Sequence, residues 1–202
     1  MLAVIDYGAG NLRSVLHALN YLGVESMRVV HHAHELQGAQ KIILPGVGAF
    51  AAGMEQLEKQ NLVKPLKQML AAGTPYLGIC VGMQFLFDRS EEMGDHAGLG
   101  VLQGKVARFP TAENYKVPHI GWNQLQPARP SPLMDNIEGD SYAYFVHSYY
   151  CVPEQAEDTI VTVDYGLPFA AAVQRDNIYG VQFHPEKSQR IGLQILSNFL
   201  KL

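Results

Sequence analysis

Apolar positions recur along this chain with two periods, and its first half alternates between them. Residues 2–5 form an unbroken apolar run of the kind a fully buried strand carries. Leu12, Val15, Leu16 and Leu19 then repeat at helical spacing over residues 11–22, and Gly23 stops the run. Residues 26–30 and 41–44 are further strand-type runs. Helical spacing returns over residues 50–59 and again in Leu62, Val63, Leu66, Met69 and Leu70, with Gly73 as the terminator. Residues 74–79 read as a strand. They lead through Gly78-Ile79-Cys80-Val81-Gly82 into a helix expected to carry Met83, Phe85, Leu86 and Phe87. Strands alternating with helices in this way predict a parallel sheet with helices on both faces.

The pattern changes after residue 87. Gly94, Gly98, Gly100 and Gly104 punctuate short strand-like pieces over 99–109, and a proline-rich loop covers 127–132. Residues 142–152 and 159–164 are aromatic or β-branched. Residues 169–174 and 178–183 flank Asp176-Asn177, a hairpin signal. A last helix over 189–200 turns Ile191, Ile195, Leu196 and Phe199 inward. The expected fold class is therefore α/β in three layers: a mostly parallel central sheet with helices on both faces, and a β-rich, partly antiparallel second half. No repeat, low-complexity tract or long linker divides the chain, so residues 1–202 read as one domain.

Composition narrows the function classes. Apolar residues make up 48% and charged residues 17%, which excludes a disordered chain. A net charge of −4 and the lack of any basic run argue against a nucleic-acid partner. Residues 1–6 have no basic segment and meet Asp6 at once, so they read as a first strand and not as a leader. No apolar stretch is long enough for a membrane span. A cytoplasmic, soluble protein is the expectation. The two cysteines, Cys80 and Cys151, form no C-x-x-C pair. His31, His32 and His34 lack the spaced partners of a zinc site and read as a polar loop. Gly8-x-Gly10 lacks the third glycine of a dinucleotide fingerprint, with Arg13 in its place. No metal and no cofactor is expected.

Gly78-x-Cys80-x-Gly82 at a strand–helix junction has the spacing of a nucleophile elbow. It would place the cysteine at the first turn of a helix, where unpaired N–H groups favour an anion, and thiolate is the reactive form. A cysteine nucleophile needs a base, and the base an orienting group. His184-Pro185-Glu186 supplies both: the histidine closes an apolar strand, and the carboxylate two residues on can fold back to it. Pro45-Gly46-Val47-Gly48, at another strand end, could present backbone N–H groups to an oxyanion.

Together these motifs resemble the class I, or triad, glutamine amidotransferases. Asp6-Tyr7-Gly8-Ala9-Gly10-Asn11-Leu12, Pro45-Gly46-Val47-Gly48-Ala49-Phe50, Pro118-His119-Ile120-Gly121-Trp122-Asn123, Phe145-Val146-His147-Ser148-Tyr149 and His184-Pro185-Glu186-Lys187-Ser188 narrow the resemblance. They are similar to the glutaminase subunits of imidazole glycerol phosphate synthases. The resemblance implies hydrolysis of L-glutamine to glutamate and ammonia, with Cys80, His184 and Glu186 as the triad. It implies oxyanion donors at the backbone of Val47 and Val81. Glutamine contacts would come from Gly48, Gln84, Glu92, Ser148 and Tyr149, with Glu91 matching as well as Glu92 by spacing. It also implies a (β/α)8-barrel cyclase subunit as heterodimer partner in histidine biosynthesis, met through Asn11, His119, Trp122, Asn123 and Lys187. Trp122 reads equally well as core. The glycine-rich 45–48 loop leads us to expect weak activity alone and activation on docking. On the triad alone, a glutaminase of another pathway, a γ-glutamyl hydrolase, a cysteine peptidase or a binding subunit with an inert Cys80 stays open.

Overall fold

The computed structural model describes residues 1–111 and 115–202. Its first half runs β1 (Leu2–Ile5), α1 (Leu12–Tyr21), β2 (Met27–Val30), β3 (Lys41–Gly46), α2 (Phe50–Lys59), α3 (Val63–Ala71), β4 (Tyr76–Cys80) and α4 (Val81–Gln84). The second half runs β5 (Phe87–Ser90), β6 (His96–Ala97), β7 (Leu102–Arg108), β8 (His119–Gln124), β9 (Gln126–Pro127), β10 (Tyr142–His147), β11 (Tyr149–Pro153), β12 (Thr159–Asp164), β13 (Pro168–Arg175), β14 (Ile178–Val181) and α5 (Gln189–Lys201).

The main sheet has the order β2-β1-β3-β4-β14-β13-β11-β7-β5-β6, with β12 and β9 attached beside β13. From β2 to β14 the neighbours are parallel; from β13 outward most are antiparallel. The change of direction matches the change in sequence pattern. The parallel strands β1, β3 and β4 are buried along almost their whole length, as strands covered on both faces must be. Helices on the two faces contribute Val15, Leu19, Leu57, Leu66, Leu70, Ile195, Leu196 and Phe199 to the shared core. A separate ribbon pairs β8 with β10, antiparallel, from His147↔His119 to Tyr142↔Gln124.

Several expectations change. The helix after the elbow is a single turn, and Phe87 opens a strand. Residues 81–87 are all buried, so a longer helix would have no polar face to show. The carbonyls of Phe85, Leu86 and Phe87 instead receive the N–H groups of Leu99, Val101 and Gly100. Strand β3 extends through Pro45 and Gly46, which pair with Ile79 and Cys80, so the free loop is only residues 47–49. Residues 142–152 are not one strand. They break at Ser148 into β10 and β11, which belong to different sheets. The hairpin at Asp176-Asn177 forms as read, with Arg175 opposite Ile178 and Asp176 at φ 50°. No helix of the described residues is long and apolar enough to cross a membrane.

Close backbone approach fixes the elbow. A Cβ on Gly78 would fall on the carbonyl of Gly82, and one on Gly82 would fall on the Leu44 carbonyl of β3. These glycines are required by contact, since neither has a positive φ. Cys80 takes the strain instead, at φ 54°, ψ −109°. The buried Tyr76 hydroxyl donates to the Gly82 carbonyl at 2.9 Å and ties the turn back to its own strand. Gly82→Ala should therefore lower the unfolding free energy by more than about 3 kcal/mol in urea titration. Gly139→Ala, whose Cβ meets nothing, should stay within about 0.5 kcal/mol of wild type.

Candidate active site

Strands β3, β4 and β14 are parallel neighbours, so their carboxyl ends lie side by side. Gly46 stands opposite Cys80 in register, and Val181 opposite Ile79. The chain leaves β14 through Gln182 and Phe183 to His184, whose N–H is held by the Tyr144 carbonyl at 3.0 Å. Pro185 opens a short 3-10 turn over Pro185–Lys187 that swings Glu186 back under the imidazole. His184 Nδ1 lies 2.8 Å from Glu186 Oε1, and both side chains are about 98% or more buried. A carboxylate only accepts, so Nδ1 carries the proton and Nε2 is the basic nitrogen.

Asn11 Nδ2 donates to the same Glu186 oxygen at 3.2 Å, while its Oδ1 accepts from Ser14 Oγ at 2.8 Å. Asn11, expected on a docking surface, thus also steadies the carboxylate. Among the described residues, Glu186 Oε2 and His184 Nε2 have no aligned hydrogen-bond partner. Burial would push the His184 pKa down. Hydrogen bonding and charge from Cys80 and Glu186 outweigh it, raising the pKa from the usual 6.5 to about 10.

Cys80 lines a cleft of about 190 Å³ with Val47, Gly48, Val81, Gln84, Glu92, His147, Ser148, Tyr149 and His184. The cleft thus brings together both expected oxyanion residues and every expected glutamine contact. Glu92 Oε2 accepts the N–H of Phe50 at 2.6 Å and so holds the start of α2 beside Gly48. Of the two candidates, Glu92 lines the cleft, while Glu91 lies on the surface paired with Lys105 at 2.6 Å. Val47 is exposed on the rim. Its N–H lies against the buried Tyr7 hydroxyl without forming an aligned bond, so Tyr7 underlies this rim.

Of the expected docking residues, Trp122 is 47% exposed, which rules out the core reading. Its ring meets Tyr144 edge-on at 6.1 Å, and Lys187 Nζ sits 5.8 Å above the same Tyr144 ring. Asn123 is half-buried, with Nδ2 donating to the Asp164 carbonyl at 2.9 Å. His119 is a correction: it is 2% exposed, stacked between Phe145 and Tyr165. Neighbouring β8 side chains point to opposite faces, so Ile120 is out where His119 is in.

Inside the ribbon, His119 Nδ1 and His147 Nε2 are 3.1 Å apart, and His147 Nδ1 lies 2.8 Å from the Tyr149 carbonyl. That carbonyl can only accept, so His147 is protonated at Nδ1 and takes its other hydrogen bond from His119. With both rings neutral, as their burial favours, this assigns His147 the Nδ1–H tautomer and makes His119 Nδ1 the donor to it. Sequence reading missed Gln182 and Tyr7 as parts of the site. A glutamine inside the apolar run 178–183 was the available signal for the first.

The chain belongs to the class-I glutamine amidotransferases: the model of that family matches residues 3–202. The chain is 48% identical to the imidazole glycerol phosphate synthase subunit HisH of Syntrophotalea carbinolica, covering 98% of both chains. It is 50% identical to the subunit of the same name from Desulfitobacterium hafniense, over 100% of this chain and 94% of that one. Among solved structures, a glutamine amidotransferase superposes with TM-score 0.76 at 19% identity, covering 98% of this chain and 97% of that one. PurLQS from Thermotoga maritima superposes with the same TM-score at 18% identity, over 99% and 97% of the two chains. At these identities the two structures show a shared fold.

The neutral histidine pair generates a pH prediction. Burial is the main cause that lowers the His147 pKa from 6.5 to about 3 and the His119 pKa to about 4. The unfolded chain takes up protons that the folded chain refuses. Stability should therefore fall as pH drops below about 6.5, and go on falling to about 3. His147→Gln should remove about 1.4 kcal/mol per pH unit from that slope between pH 6 and 4, read from urea titrations at fixed pH.

Proposed function

We propose that this chain hydrolyses L-glutamine to glutamate and ammonia as the glutaminase subunit of an imidazole glycerol phosphate synthase in histidine biosynthesis. The observation that carries this reading is Cys80, held at its strained elbow in one cleft with His184, whose imidazole is backed by the buried Glu186 carboxylate. Full-length relatives that carry the subunit's name support the pathway.

In the proposed reaction, Cys80 sulfur attacks the side-chain amide carbon of glutamine. The C–N bond breaks from the tetrahedral intermediate as the His184 imidazolium gives a proton to departing ammonia, leaving a γ-glutamyl thioester. Neutral His184 then takes a proton from water, which attacks the thioester, and thiolate leaves with glutamate as product. The Val81 N–H, at the first position of α4, and the Val47 N–H on the rim supply oxyanion donors. Gly48, Gln84, Glu92, Ser148 and Tyr149 hold the amino acid.

Ammonia set free in neutral water becomes ammonium and loses its nucleophilicity, so delivery to a synthase subunit follows from the chemistry. That partner, a (β/α)8-barrel cyclase, docks over Trp122, Tyr144 and Lys187, with Asn11 and Asn123 at the edge. Tryptophan with a cation-backed tyrosine is the type of exposed group that anchors interfaces. Docking reorients the 47–49 rim and completes the oxyanion hole.

Glutamate and ammonia release should be weak for the chain alone and rise by at least about 10²-fold when the cyclase subunit and its substrate are added, the scale of one oxyanion donor. Cys80→Ala should remove activity in both settings, and Glu186→Gln should cut kcat by about 10²–10⁴ with little change in KM. A rate already maximal without a partner would overturn the docking reading. Cleavage of γ-glutamyl peptides in preference to free glutamine would overturn the substrate.

A further inference from the structure

Gln182 is fully buried, at the end of β14 and two residues before His184. A carboxamide placed there must find partners or lose the free energy of its hydration. Its oxygen lies 3.2 Å from Gln84 Nε2, and its nitrogen 3.6 Å from the sulfur of Cys80. Gln84 Nε2 is also 3.2 Å from the Tyr149 carbonyl.

This chain fixes the direction of every bond in it. The Tyr149 carbonyl only accepts, so the Gln84 atom facing it is the nitrogen. That nitrogen also meets Gln182, so the Gln182 atom facing Gln84 is the oxygen. The remaining Gln182 group, NH2, faces Cys80. Flipping the Gln182 amide would set its nitrogen against the Gln84 nitrogen and its oxygen against the sulfur, losing both bonds.

We propose that Gln182 is a further catalytic residue, whose side-chain N–H donates to the Cys80 sulfur and holds it as a thiolate aimed into the cleft. The inference rests on Cys80 being the nucleophile of the reaction described above. A donor on the sulfur stabilises its charged form. The bond acts twice. Before attack it favours thiolate over thiol and restricts the side chain to the space between Gln182 and His184. In thioester hydrolysis the C–S bond breaks and the electron pair returns to sulfur, where the same N–H receives the charge. Gln84, seated on the Gln182 oxygen, links this donor to the wall of the cleft at Tyr149.

The test is alkylation of Cys80 by iodoacetamide at pH 7, followed on the Cys80 peptide by mass spectrometry, beside steady-state glutaminase kinetics of the complex with the cyclase subunit. Gln182→Met keeps the volume without the donor, and Gln182→Glu keeps the shape but presents a carboxylate. Both should slow alkylation by about ten- to a hundredfold, the scale of a hydrogen bond to a charged group, and lower kcat with KM within about threefold. Alkylation within twofold of wild type in Gln182→Met would overturn the proposal. So would a raised KM with unchanged alkylation, which would make Gln182 a mere support for Gln84. Should neither variant fold, the wild-type protein still decides. The Gln182 NH2 resonances in a ¹⁵N spectrum should move when Cys80 is alkylated, and unmoved resonances overturn the bond. Alkylation does not depend on the substrate. Slowed alkylation with no ammonia from glutamine would support the bond and overturn the substrate reading alone.

Discussion

The site depends on a crowding of backbones. Strand β4 turns into α4 so tightly that Gly82 lies on the Leu44 carbonyl of β3 and Gly78 lies on Gly82 itself. With no room for either Cβ, the strain passes to the residue between them, and Cys80 sits at φ 54°. That conformation lifts the side chain off the sheet toward the end where β3 and β14 also terminate. The Pro45–Ile79 and Gly46–Cys80 pairs hold β3 in step. Cys80, the 47–49 rim and the His184 segment are thus placed by one register, since β3, β4 and β14 are hydrogen-bonded neighbours.

Two histidines that line the same cleft, His184 and His147, show how partners set the proton. His184 meets a carboxylate and a thiol sulfur and is raised to about 10 in spite of its burial. His147 meets a carbonyl and a second neutral histidine, and burial holds it near 3. His184 itself adds to that lowering of His147. A positive His184 and a neutral His147 are consistent with each other, because a second imidazolium beside the first would be both desolvated and repelled. Of the two, His184 is therefore the one that holds a second proton near neutral pH, beside Cys80.

The parts legible in sequence are those set by local chemistry. The parallel half of the sheet follows from short apolar runs separated by helical repeats. The elbow, the histidine and its carboxylate follow from motifs only three to five residues long. What was not legible depends on contacts between distant segments. The one-turn length of α4 is set by residues 98–102, which take the carbonyls a longer helix would have kept. His119 looks like its surface neighbours until the β8–β10 register turns it under Tyr165. Asn11 gains its bond to Glu186 across 175 residues. Gln182 could be seen as a polar residue in an apolar run, but its side-chain partners, Cys80 and Gln84, come from β4 and α4.

The rigid and the adaptable parts of the cleft are therefore different segments. Cys80, Gln182, Gln84, His184 and Glu186 are buried and tied to one another or to strands, so they have little freedom to rearrange. Val47 and Gly48 stand outside that network. Val47 is exposed, Gly48 is at φ 91° with nothing near its Cβ position, and the Tyr7 hydroxyl beneath them lacks an aligned partner. Gly48 gives this rim a residue that accepts left-handed backbone angles without side-chain cost, which no position in the buried network offers. The proposed nucleophile and base are thus held in place by buried contacts, while Val47, the proposed second oxyanion donor, lies on an exposed segment outside that network. On the proposed mechanism, an outside surface that reset this rim would act on stabilisation of the intermediate, while Cys80, His184 and Glu186 kept the positions their buried contacts give them.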